Sequence, residues 1–104
     1  MSRRVILTDV AEVELESAYR WYAEHAPDFA ERWYNGFLEQ LQSLANDPDR
    51  FSLAPESGDL IVPVRQMLYG HRRKTHRAVF AVRPEAVVVL RIRHVAQSLL
   101  SDLE

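Results

Sequence analysis

The 104-residue sequence has no cysteine, which excludes a disulfide framework and a thiolate metal centre. Its three glycines stand apart from one another, so there is no glycine-rich phosphate loop, and neither a nucleophile elbow nor a His-Glu metal motif occurs. No apolar run is long enough to span a membrane, and the opening MSRRVILTDV lacks the apolar stretch of a secretory signal. Length and composition therefore indicate one soluble, cytoplasmic domain over residues 1–104, with no cofactor or metal expected.

What is present is charge, unevenly placed. The formal net charge is −2, yet residues 1–60 carry 12 acids against five bases. Residues 64–94 carry seven arginines and Lys74 against the single acid Glu85, and the last ten residues add two acids and no base. A bulk charge near zero thus hides an acidic half, a basic stretch and an acidic tail, and the local field matters more than the sum.

The chain reads as strand, two helices, then three strands. Residues 3–8 (RRVILT) form a β-branched run. Asp9 begins a helix, with Asp9 and Glu12 at capping-box spacing. Ala11, Leu15, Ala18 and Tyr22 mark its buried face, while Glu12, Glu14, Glu16 and Arg20 occupy the others. A second helix, from about Pro27 to Asn46, presents Ala30, Trp33, Phe37, Leu41 and Leu44. The short link at Pro27 makes the two an antiparallel hairpin. Asp47-Pro48 stops it, and residues 49–60 form a loop. Residues 64–69, 75–82 and 86–94 are strand-like, and the first of these is apolar on both alternations. In the last, Val88, Leu90 and Ile92 alternate with Val87, Val89, Arg91 and Arg93. With Phe80, Leu90 and Ile92 facing the helices, Arg77, Arg91 and Arg93 share the opposite face. Leu99, Leu100 and Leu103 suggest one terminal helical turn.

Clustered like charges cost free energy unless an anion offsets them, so the arginine face points to a phosphate or an acidic protein. A solvated face is the plainer alternative. His71, Arg72, Arg73 and Lys74 form a basic turn that serves either as a phosphate clamp or for solubility. Arg65 adds to the basic set. His76 and His94 stand at strand ends on the core alternation and read as edge-of-core residues; two histidines this far apart in sequence, with no carboxylate partner, do not by themselves mark a metal site. The helices carry more aromatics than the hairpin can bury, which leaves Trp21 and Tyr34 as candidates for a partner-binding patch.

In order and spacing, VILTDVAEVELESAYRWYAEH, FAERWYNGFLEQLQSLANDP, VRQMLYGHRRKTHRAVFAV and VVVLRIRH resemble the RelE/ParE superfamily of toxins from type II toxin–antitoxin modules, also called plasmid stabilisation proteins. The likeness spans nearly the whole chain, and the long hairpin is closer to the ParE branch. It implies an α+β fold of order β-α-α-β-β-β, with a helical hairpin on one face of a small antiparallel sheet. It also implies a cognate antitoxin whose C-terminal segment wraps across helices and sheet, with Trp21 and Tyr34 as candidate contacts. Toxicity then follows one of two routes. ParE-like members inhibit DNA gyrase by binding it, here through Arg65, Arg72, Arg73, Lys74, Arg77, Arg91 and Arg93. RelE-like members cut messenger RNA on the ribosome, here with Arg77 and Arg93 on the phosphate and His94 as acid or base. Active nucleases of the superfamily commonly carry a tail tyrosine; the tail VAQSLLSDLE has neither tyrosine nor base, and Tyr69 is a candidate substitute. A degenerate, non-toxic member is the third alternative.

Overall fold

The computed structural model describes residues 2–59, 61–70 and 74–95, with the Asp59 side chain left aside. The elements are β1 (Arg4–Leu7), α1 (Asp9–His25), α2 (Pro27–Gln42), β2 (Arg65–Tyr69), β3 (His76–Val82) and β4 (Ala86–His94). Short 3-10 turns occupy Ser43–Ala45, Pro48–Arg50 and Pro55–Asp59. This is the expected α+β order, with the helical hairpin on one face of a four-stranded sheet. The strand order is β1-β4-β3-β2. β2, β3 and β4 pair antiparallel, and β1 joins β4 in parallel, so the sheet is mixed. No described helix is long and apolar enough to cross a membrane.

Local chemistry sets the element ends. Thr8 caps α1, its hydroxyl accepting from the Ala11 amide at 3.1 Å, so the cap falls one residue before Asp9. Asp9 and Glu12 sit in the first turn, where the helix dipole favours acids. Pro27 opens α2 at a position that needs no amide donor. The second helix tightens into a 3-10 turn at Ser43 and ends before Asp47, which takes the left-handed conformation (φ 50°) that aspartate tolerates.

The main core lies between hairpin and sheet. Trp33, Phe37, Leu41 and Leu44 meet Met67, Phe80, Val87, Val89 and Ile92. Tyr69 joins it from β2, its hydroxyl donating to the Trp33 carbonyl at 3.0 Å. That approach needs Gly36, since a Cβ there would collide with the Tyr69 oxygen. A smaller cluster of Ala54, Val64, Val79 and Ala81, with Leu90 against it, covers part of the opposite sheet face. The stretch before β2 folds back over that face, the Ala54 amide donating to the Val64 carbonyl. β2 is buried on one side only: Met67 and Tyr69 are interior and Leu68 is exposed.

One irregularity decides the geometry of the functional end. Phe80 pairs with Val89 but Val79 pairs with Arg91, so Leu90 is an extra residue on β4. Val87, Val89 and Ile92 therefore all face the helices, and Leu90 turns to the other side, contrary to the simple alternation. Without the extra residue, His76 would lie across from Arg93. With it, His76 pairs with His94 and Arg77 with Arg93.

Candidate functional site

The basic face exists, and this chain's own acids offset it. Arg77 and Arg93 are cross-strand partners on the sheet face away from the helices, with Arg91 two residues along. Arg77 is buried against Glu56 from the 3-10 turn Pro55–Asp59, the two side chains 8% and 3% exposed. Its Nη1 donates to Glu56 Oε1 at 3.0 Å and to Gln66 Oε1 at 3.1 Å, and its Nη2 to Glu56 Oε2. This is a two-pronged guanidinium–carboxylate pair, the geometry a phosphate would otherwise occupy.

Glu14 of α1 does the same for Arg91. Its carboxylate accepts from Arg91 Nε at 3.1 Å and from Nη2 at 2.8 Å. It also takes the Ile92 amide at 2.8 Å. β1 ends opposite Val89, so the edge of β4 beyond that point has no strand partner on this side. The Thr8 hydroxyl, donating to the Leu90 carbonyl, and the Glu14 carboxylate complete the edge. Arg93 is buried, with Nε 3.8 Å from Glu14 Oε2. Burial pulls its guanidinium below the usual arginine value, and the neighbouring Arg91 charge adds to this.

The remaining basic candidates disperse. Arg65 lies on the helix-facing side across from Phe80, donating to the Phe51 carbonyl at 2.6 Å and 3.6 Å from Asp49. Lys74 is exposed. His71, Arg72 and Arg73, and the expected terminal turn at Leu99, Leu100 and Leu103, lie outside the described residues.

The histidines are on the other side of the sheet. His76 is buried among Tyr22, Trp33 and Phe37, with Nδ1 2.9 Å from the Thr75 hydroxyl. Burial, helped by His94, lowers its pKa to about 4, so the ring is neutral at pH 7. The His94 ring is 5.1 Å from it, and both line a cleft of about 280 Å³ with Val13, Glu14 and Ser17. His94 therefore faces the helices while Arg77 and Arg93 face away, and the three do not converge on one reacting atom. Tyr69 spends its hydroxyl on the core carbonyl of Trp33, also on the helix side.

Among the described residues, three places are open to a partner. Trp21, 55% exposed, stacks on His25 with ring centres 4.3 Å apart. Tyr34 is half-buried against Tyr19 in a polar groove of about 560 Å³ between the helices. On the far sheet face, Val64, Ala81, Val88 and Leu90 floor an apolar hollow of about 610 Å³, with Arg83 at its rim. Ile61 and Val62 border it, Ile61 fully exposed. Sequence reading missed Glu14 and Glu56, which looked like ordinary acids of a solvated helix and a loop. It also missed the hollow, whose one signal was the apolar pair Ile61-Val62 within a loop.

Residues 5–99 match the family described as ParE toxin of type II toxin-antitoxin system, parDE. Among solved structures, the fold is similar to a chain described as chromosomal ParDE TA system from P. aeruginosa, with a TM-score of 0.69 and 23% identity. That match covers 89% of this chain and 96% of the other, and at this identity it speaks for the fold alone. No curated protein matches the sequence.

Proposed function

Because this chain belongs to the ParE toxin family of type II toxin–antitoxin systems, we propose that it is held silent by a cognate antitoxin and, once free, arrests growth by binding a protein target, DNA gyrase, without cutting RNA. The observation that carries this reading is the buried Arg77–Glu56 pair. A metal-independent ribonuclease needs cations free to meet the phosphorane, with an acid and a base beside them. Here the central strand arginine is neutralised from within, and His94 stands on the opposite side of the sheet. Protein binding needs none of that convergence. Exposed apolar groups beside charge suit it instead, and the hollow edged by Ile61, Val62 and Arg83 offers both.

The antitoxin contact follows from the same surfaces. A segment with apolar side chains for the hollow and an acid for Arg83 would be complementary on that side. Trp21 supplies a large anchor on the hairpin. Lys74 is exposed and remains a cationic contribution to a target surface, next in sequence to Arg72 and Arg73.

The test is a supercoiling assay with purified chain and gyrase. Inhibition that rises with the chain and is lifted by the antitoxin is expected. Unimpaired supercoiling at large excess, from a preparation that still arrests growth, would refute the gyrase assignment.

A further inference from the structure

We infer that His76 and His94 form a two-imidazole site for a divalent first-row transition cation of the zinc type, at the open end of the β3–β4 hairpin. The two residues are direct cross-strand partners, a pairing that the extra residue Leu90 creates. Both rings face the helices, their centres 5.1 Å apart and their planes at 75°. An imidazole nitrogen binds zinc at about 2.0–2.1 Å, so two rings on one tetrahedral ion have centres about 5 Å apart. The observed spacing is compatible with shared ligation once the two rings turn a nitrogen to a common point.

The surroundings complete the arrangement. The Thr75 hydroxyl, 2.9 Å from His76 Nδ1, is the outer partner that fixes a ligating ring and leaves Nε2 as its donor. Among the described residues, that is the ring's hydrogen bond. His94 is exposed, and the cleft the two rings share opens to solvent, which gives a cation its path. Glu14 also lines the cleft, but its oxygens serve Arg91 and the Ile92 amide, so it lends negative field without ligating. The donors are thus neutral nitrogens, which suit zinc, copper or nickel and not magnesium or calcium. Two coordination positions stay open, to water or to a donor from a molecule docked at this end. The inference is independent of whether the target is gyrase.

The experiment is calorimetric titration of ZnCl₂ into tag-free full-length chain carrying His25→Gln and His71→Gln, so that His76 and His94 are the only imidazoles. One equivalent should bind, with no comparable heat from MgCl₂. Adding His94→Gln, an exposed change that circular dichroism should show to be folded, should abolish binding. Thr75→Val should weaken it about 10- to 100-fold. No zinc binding in the two-histidine background, or undiminished binding in either further variant, would overturn the site.

Discussion

Replacing Glu56 by Gln should be among the most damaging single changes in the chain. The carboxylate and the Arg77 guanidinium are both under a tenth exposed, so solvent screens their attraction little. Removing one charge leaves the guanidinium buried with neutral acceptors, the new amide oxygen and Gln66 Oε1 at 3.1 Å. Breaking a buried pair from one side typically costs about 3–5 kcal/mol, and the retained acceptors place this case near about 3 kcal/mol. Against a total of about 5–15 kcal/mol that is a large share. At this chain length it corresponds to a drop of roughly 12–20 °C in Tm. Urea denaturation followed by tryptophan fluorescence would read it directly. The double change Glu56→Leu with Arg77→Met, which removes both charges and keeps volume, should recover most of the loss. A Glu56→Gln loss under about 1 kcal/mol, or a double variant as unstable as the single, would refute the buried pair as described.

Gly36→Ala should destabilise by about 1–3 kcal/mol despite alanine's better helix propensity, because its methyl meets the Tyr69 hydroxyl. In a Tyr69→Phe background the penalty should shrink, which a denaturant double-mutant cycle would show. His76 titrates near 4 when folded, below its ordinary 6.5, so its contribution is full above pH 6.5 and lost as pH falls through about 4. A shift of that size is worth about 3 kcal/mol, and urea midpoints in chelator should fall across that window in wild type but far less in His76→Leu. Glu14→Ala should cost about 1–3 kcal/mol by leaving the Ile92 amide without its acceptor. Hydrogen exchange at that amide should accelerate, and unchanged protection would count against the role given to Glu14.

Periodicity made the hairpin legible: Ala30, Trp33, Phe37, Leu41 and Leu44 are the buried seam, in order. The run Val87-Val88-Val89-Leu90 was not decisive, because four consecutive apolar residues fit either face and conceal an extra one. Counted from Ile92, alternation puts Arg91 and Arg93 away from the helices and His94 towards them, as found; carried back past the extra residue it misplaces Val87, Val88, Val89 and Leu90. The acids that neutralise the arginines come from afar, Glu56 from a short 3-10 turn 21 residues before Arg77 and Glu14 from a helix 77 residues before Arg91. Local patterning carries no trace of such pairs. The α1 cap was misplaced by one residue because Thr8 and Asp9 are both good capping types.

The central claim is that the arginine face is neutralised internally and the toxin works by binding a protein. Mapping RNA 5′ ends genome-wide after inducing the chain in a bacterial host tests it most directly. Growth arrest with intact messages is the expected result. New ends within translated frames, absent when Arg77→Ala is induced instead, would contradict the account.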